Sequence, residues 1–244
     1  MYEDYYNTQY SSAVHRNDRT HIPRKHCNKV HGGNIMRVLF LSPHTDDVEL
    51  GAGGTLVKFL ELGHEILWVV FSTAEESLPD NMPKDTLKRE FLGVINDLGL
   101  KGENYRILNF HVRRLHEYRQ EILEELVKIR KEFAPDLVIG PSLNDYHQDH
   151  QVVAWEMTRA FKNTSSIICY ELPWNHVTFN TQLFIKLEEK HVKKKVELLS
   201  NYESQLLLNR PYFSKDFIFG WARMRGVQVK AEFAEAFEVI RWIL

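Results

Sequence analysis

The sequence predicts an α/β protein with a Rossmann-like, doubly wound and mainly parallel sheet that carries helices on both faces. The first observation is a repeated alternation of short apolar segments, rich in β-branched and aromatic residues, with segments of helical length and period. The second is that the short segments are apolar at consecutive positions, as in strands covered on both faces. Because crossovers between parallel strands are right-handed, the two observations together predict one doubly wound domain.

The elements follow in order along the chain. Strands are predicted at 36–42, 65–73, 105–110, 136–142 and 166–172, with helices at 50–63, 84–98, 117–133 and 150–161 between them. Beyond residue 172 the alternation fades, and the predicted elements are helical patterns at 181–199 and 214–225 and a strand-like segment at 235–244. Since no linker rich in Gly, Pro or Ser interrupts it, this last part is predicted to be a C-terminal elaboration of the same domain.

Residues 1–35 differ from the rest of the chain. They are polar, have no period of 2 or 3.6 and contain few aliphatic residues. We therefore expect a flexible N-terminal extension there, with the folded domain at 36–244.

Composition narrows the classes of function. The 31 basic and 33 acidic residues leave a net charge of −2, so no strong basic field for nucleic acid is expected. The longest apolar runs, such as 65–71, are too short to span a bilayer, and the N-terminus lacks the apolar core of a signal peptide. Cys27 and Cys169 are the only cysteines, which suits a reducing compartment. A cytoplasmic protein without a transmembrane segment is therefore expected.

Two polar clusters directly follow predicted strands. His44, Asp46 and Asp47 follow the first strand, and "LNDYHQDH" at 143–150 follows the fourth. In doubly wound sheets, ligands bind in the crevice beyond the carboxyl ends of the strands. We therefore expect these clusters to meet at one edge of the sheet, although they lie far apart in sequence.

A phosphate-binding loop is one interpretation of the first cluster. "GAGG" at 51–54 supplies Gly51 and Gly53, but the sixth position of a dinucleotide loop is Leu56. The acidic residues just before the glycines would also repel a pyrophosphate. The glycines are therefore better explained by close packing of the helix on the sheet.

A metal site is the other interpretation. His44 and Asp47 can converge on one point, and His147 and His150 are three residues apart on one helical face. Two histidines and one carboxylate leave an open position on zinc, as a catalytic site needs, although ferrous iron uses the same set. Asp46 points elsewhere but is close enough to act as a general base. The spacing leaves open which histidine of the second cluster is the ligand, and helix capping or solvated loop histidines remain the ordinary alternatives.

The motifs also carry a resemblance. "PHTDDVELGAGGTL" at 43–56 and "HQDH" at 147–150 resemble the two signatures of the LmbE / PIG-L family of zinc-dependent N-acetylglucosamine deacetylases. The resemblance runs from Met36 through the fourth crossover and more loosely to the end. It implies hydrolysis of the N-acetyl group of an amino sugar, such as a GlcNAc unit, a sugar nucleotide or a glycan precursor. It also implies a small-molecule substrate and a possible homo-oligomer.

The resemblance further implies a role for each matching residue. It implies three zinc ligands: His44, Asp47 and His150. Asp46 matches the general base, and His147 matches the residue that, when protonated, stabilises the oxyanion. Asp149 matches the partner that orients His147 and keeps it cationic, since a carboxylate raises a histidine pKa.

The sequence departs from the family pattern at one position and offers two candidate substrate contacts. Leu87 stands where some relatives carry an arginine, so the polar substrate contact of that arginine is not expected from this position. Trp174, after the fifth strand, could stack on a sugar face or simply pack at the rim. Arg113, after the third strand, could meet a phosphate or carboxylate or be a solvated charge.

The same residues are compatible with two other functions. The same metal site could act on a different N-acyl group or a thiol-sugar conjugate. Alternatively, the domain could bind a sugar or nucleotide without catalysis.

Overall fold

The computed structural model describes residues 34–79 and 81–243, and seven strands and seven α-helices lie within these ranges. The strands are β1 (Arg37–Ser42), β2 (Glu65–Val70), β3 (Tyr105–Ile107), β4 (Leu137–Pro141), β5 (Ser166–Tyr170), β6 (Leu183–Leu187) and β7 (Phe233–Arg241). The helices are α1 (Asp47–Glu61), α2 (Thr86–Asp97), α3 (Arg119–Glu132), α4 (Gln148–Phe161), α5 (Glu189–Leu199), α6 (Glu203–Leu207) and α7 (Lys215–Gln228).

The strands form one sheet in the order β3-β2-β1-β4-β5-β7-β6. The first five strands pair with one another in parallel, whereas β7 is antiparallel to both β5 and β6. The strand order reverses between β1 and β4, because β1 connects through α1 to β2 on one side and β4 connects through α4 to β5 on the other. The predicted fold class, a doubly wound and mainly parallel sheet with a C-terminal elaboration, is confirmed.

Helices cover both faces of the sheet, which explains why the strands are apolar at consecutive positions. In β1, Val38 and Phe40 pack against the layer that contains α1, α2, α5 and α7. Leu39 and Leu41 point to the opposite face and pack with α3 and α4. All four side chains are fully buried. None of the helices in the described ranges is both long and apolar enough to cross a membrane.

The helical prediction over 181–199 is wrong for its first part. Leu183–Leu187 is the edge strand β6, and the helix begins only at Glu189. The strand forms because β7, about fifty residues further along the chain, offers it an antiparallel partner with Leu183 opposite Phe237. Local periodicity does not report such a partner. The predicted extension at 1–35 falls almost entirely outside the described residues.

The glycines at the start of α1 allow this helix to approach the sheet, as the sequence suggested. A Cβ atom on Gly51 would lie 2.4 Å from the ring of Tyr170, and one on Gly54 would lie 2.4 Å from Leu187. The ring of Tyr170 is fully buried, and its hydroxyl donates a hydrogen bond to the carbonyl oxygen of Leu41. It therefore cannot move aside easily.

We expect Gly51→Ala to destabilise the protein by about 1–3 kcal/mol, the usual cost of overpacking a close contact. Urea unfolding followed by circular dichroism measures the change. Gly220→Ala is the matched control, because Gly220 also lies in a helix interior but has no atom near the position of an added Cβ. That variant should be neutral or up to about 1 kcal/mol more stable. Equal effects of the two substitutions would contradict the packing role of Gly51.

Candidate active site

Two loops at the carboxyl ends of β1 and β4 form the candidate site. The strands are neighbours in the sheet, with Val38 opposite Leu137. The helices that follow them, α1 and α4, lie on opposite faces, so a crevice opens between the loops at the point where the strand order reverses. The two predicted polar clusters meet there.

Three side chains converge on one point. Nδ1 of His44 lies 3.2 Å from Oδ2 of Asp47. Nε2 of His150 lies 3.3 Å from the same Asp47 oxygen and 3.3 Å from Nδ1 of His44. The three atoms, Nδ1 of His44, Oδ2 of Asp47 and Nε2 of His150, form a triangle. Ligand atoms 2.0–2.1 Å from a tetrahedral zinc ion would be about 3.3–3.4 Å apart, so this triangle already has the dimensions of three zinc ligands.

Each histidine of the triangle has a carboxylate behind it. Nε2 of His44 lies 3.0 Å from Oδ2 of Asp149, and Nδ1 of His150 lies 2.7 Å from Oδ2 of Asp145. A neutral imidazole that donates to its carboxylate presents the other nitrogen, as an acceptor, to the triangle. Sequence reasoning missed Asp145; the available signal was a carboxylate in the same cluster as His150.

The position of Asp149 corrects one expectation. The resemblance implied that its carboxylate orients His147, but it contacts His44 and accepts hydrogen bonds from the backbone of Arg113 at 2.5 Å and Leu115 at 3.2 Å. The reason lies in the start of α4: His147 is the N-cap, and its Nδ1 accepts a 3.2 Å hydrogen bond from the backbone N–H of Asp149. The two side chains therefore point to different partners.

The surroundings of the triangle favour the protonated form of both of its histidines. Burial lowers the pKa of His44, but the charge of Asp47 and hydrogen bonds to Asp149 and Asp47 outweigh it and raise the pKa to about 9. Burial also lowers the pKa of His150, yet Asp47 and Asp145 raise it to about 10. For Asp47, burial raises the pKa, but His150 and His44 outweigh burial and hold it well below its usual range. Such an environment suits a cation, which would take the place of these protons.

Asp46 and His147 flank the triangle. Burial, together with the charge of Asp47, raises the pKa of Asp46 to about 6, while His44 and Arg210 partly offset the rise. Burial lowers the pKa of His147 to about 4, and the neighbouring His150 and His44 add to the effect. These surroundings favour the neutral imidazole of His147, whereas the cationic form that the resemblance implies stays a prediction.

The triangle opens into a cavity of about 210 Å³. Trp174 lies in its wall and stacks on Tyr212, with ring centroids 4.0 Å apart and an interplanar angle of 11°. Arg113 is not one of the lining residues, and its guanidinium donates to the backbone oxygen of Glu76. Of the two predicted substrate contacts, the structure thus brings Trp174 into the cavity but not the Arg113 side chain.

Sequence reasoning missed part of the cavity wall. Gln205, Arg210 and Tyr212 line the cavity from the segment around α6, which carries no recognised motif. Leu87, where some relatives carry an arginine, also lines it. An arginine is thus present in the wall, but from a different element.

The sequence matches the family model described as PIG-L, GlcNAc-PI de-N-acetylase, over residues 39–161, just over half of the chain. A protein of Escherichia coli (strain K12), the uncharacterized deacetylase YaiS, is 28% identical over 173 residues, which are 68% of this chain and 90% of that protein.

Solved structures share the fold. The N,N′-diacetylchitobiose deacetylase from Pyrococcus horikoshii has a TM-score of 0.69 at 19% identity, with 84% of each chain covered. The 4-carboxy-2-hydroxymuconate hydratase GalB from Pseudomonas putida KT2440 also has a TM-score of 0.69, at 18% identity, with 86% of this chain and 98% of that chain covered. At such identities the likeness establishes the fold alone. The family match, however, spans both clusters that build the triangle, and the chain therefore belongs to the PIG-L (LmbE-like) family of deacetylases.

Proposed function

We propose that this protein is a metal-dependent hydrolase that removes the N-acetyl group from an acetamido sugar and releases acetate and a free amine. The observation that carries the proposal is the triangle of His44, Asp47 and His150, with Asp46 beside it at the base of a cavity. Family membership supports the reaction type.

The donor set of the triangle fits a divalent cation. Two imidazoles and one carboxylate suit zinc with an open position, and ferrous iron accepts the same ligands. When bound, such a cation lowers the pKa of water and polarises the amide carbonyl. We propose zinc as the native metal, held by His44, Asp47 and His150, with Asp149 and Asp145 fixing the orientation of the two histidines.

Asp46 is the proposed general base. It lines the cavity next to Asp47, yet it contributes no atom to the triangle. We propose that its carboxylate accepts the proton of the attacking water and returns it to the nitrogen of the departing amine. Net hydrolysis then consumes one water, breaks the amide C–N bond and leaves Asp46 unprotonated for the next turnover.

His147 is the proposed donor to the oxyanion. Since Nδ1 accepts the backbone N–H of Asp149, the neutral ring carries its proton on Nε2. A ring nitrogen of His147 lies within 4.8 Å of a ring nitrogen of both His44 and His150. The His147 ring therefore borders the reacting centre. A neutral Nε2–H can donate to the developing charge, so the role does not require a cationic imidazole.

The size of the cavity bears on the substrate. Its volume of about 210 Å³ is below the roughly 300–1,000 Å³ typical of sites that enclose drug-sized ligands. We propose that it encloses one acetamido sugar unit, and that the rest of a larger substrate extends beyond the mouth. Trp174, stacked on Tyr212, is then a candidate platform for the sugar ring.

The proposal is tested by incubating the metal-loaded protein with N-acetylglucosamine and its conjugates and measuring both acetate and free amine. We expect the two products in equal amounts, loss of activity with a chelator, and recovery when zinc is restored. Release of a different acid would point to another N-acyl substrate. Tight sugar binding without any amine released from a panel of such amides would contradict catalysis.

A further inference from the structure

Arg210 is the one Lys or Arg side chain among the described residues that line the cavity. It precedes a short turn after α6, outside the segment matched by the family model. The polar part of the wall is otherwise dominated by the acidic and histidine side chains of the two clusters. The cavity therefore has one fixed positive charge in addition to the proposed metal ion.

The guanidinium of Arg210 has more N–H donors than its hydrogen bond within the described residues uses. Its Nη1 donates a 2.7 Å hydrogen bond to the hydroxyl oxygen of Tyr212, which is a neutral acceptor. Within residues 34–79 and 81–243, no carboxylate lies within the 4.0 Å that defines an ion pair with it. A guanidinium has five N–H donors in a rigid fork that matches the oxygens of phosphate or carboxylate. An arginine with this bonding is equipped for an anion from outside the chain.

The aromatic wall holds this guanidinium in place. The centre of the guanidinium lies 5.9 Å from the Tyr212 ring centroid, and that ring stacks on Trp174. The ring centroid of Trp174 in turn lies 6.3 Å from that of Trp221, whose Nε1 donates a 2.9 Å hydrogen bond to Glu171. Because each ring is supported by the next, little conformational freedom would be lost when a ligand binds. The arrangement is typical of a preorganised contact rather than a solvated charge.

We propose that Arg210 forms an anion-binding subsite, so that the substrate is an acetamido sugar carrying a phosphate or carboxylate group. The substrate class rests on the proposed deacetylase function, whereas the anion subsite rests on the cavity alone. In this arrangement the acetamido group faces the triangle and Asp46. The anionic group meets Arg210 beside the stacked Tyr212 and Trp174.

Binding of matched sugars to the zinc-loaded protein tests the subsite. N-acetylglucosamine is the neutral probe, N-acetylglucosamine 1-phosphate the phosphate probe and N-acetylmuramic acid the carboxylate probe, each titrated calorimetrically. We expect at least one anionic probe to bind more tightly than the neutral sugar. Arg210→Gln should weaken that probe by on the order of 10-fold to 100-fold, the loss typical of a charge-assisted hydrogen bond, and leave the neutral sugar within about twofold.

Two further variants sharpen the result. Arg210→Lys keeps the charge without the planar fork and should retain part of the preference for the anion. Arg114→Gln is the control, because Arg114 is exposed, pairs with Glu117 and does not line the cavity. It should bind all three probes as the wild type does. Circular dichroism and metal content confirm that each variant is folded and loaded.

The outcomes separate this inference from the proposed function. Equal affinity of wild type for all three probes, or equal weakening of neutral and anionic sugars by Arg210→Gln, would overturn the anion subsite even if acetate is released. Arg210-dependent binding of an anionic sugar without acetate release would leave the subsite standing and contradict the deacetylase. A preference for N-acetylglucosamine 1-phosphate assigns phosphate as the anion, and a preference for N-acetylmuramic acid assigns carboxylate.

Discussion

Asp46→Asn is expected to lower kcat for acetate release by roughly 10²–10⁴-fold, because the amide cannot accept the proton of the attacking water. Metal content should be unchanged, since Asp46 contributes no atom to the triangle of His44, Asp47 and His150. Acetate release under saturating substrate and metal analysis of the same preparation measure the two quantities together.

The control for this substitution is Asp85→Asn. Asp85 is an exposed residue that pairs with Arg89 on the surface, and its side chain is 60% accessible. The same chemical change there should leave activity and metal content at wild-type values. Wild-type turnover in Asp46→Asn would remove Asp46 from the mechanism, and loss of metal from that variant would show that it serves the metal site instead.

His44→Ala is expected to remove most of the bound metal and, with it, the hydrolytic activity. The substitution deletes one corner of the triangle and leaves Asp149 without the imidazole that it contacts. Metal content after gel filtration, and competition with a zinc chelator, measure the loss. Activity should return only at metal concentrations far above those that saturate the wild type.

Two comparisons identify the cause of that loss. Asp145→Asn keeps all three corners but weakens the partner of His150, so metal affinity should fall by about 10–100-fold rather than disappear. His116→Ala removes an exposed histidine that lies outside the cavity and should have no effect on the metal. Full metal retention in His44→Ala would contradict the proposed ligand set.

Much of the site could be predicted because its parts are local. Strand-length apolar segments and helical periods reveal which segments are buried, and a doubly wound sheet brings the ends of β1 and β4 together. The two polar clusters were therefore predicted from residues that directly follow two strands, whereas the choice of His44, Asp47 and His150 as ligands came from the family resemblance. The close packing of α1 on the sheet could also be predicted, because glycine is the residue that allows a helix to approach a sheet so closely.

The pairing of carboxylates with histidines in the site could not be predicted in the same way. Asp149 lies in the "HQDH" motif next to His150, yet it contacts His44, which is 105 residues away. Asp145 rather than Asp149 supports His150. Which carboxylate meets which imidazole depends on side-chain directions at the first turn of α4, and spacing along the chain does not specify these.

The sequence by itself determined the doubly wound fold, the convergence of two motif-bearing loops and the residue types that suit a metal and a base. Local periodicity and turn chemistry are properties of neighbouring residues, so they can be read without the fold. Only the tertiary structure decided the partners of Asp149 and Asp145, the edge strand β6, and the contribution of Arg210 and Tyr212 to the cavity. These contacts join elements that are distant along the chain, and they arise only when the packed layers bring those elements together.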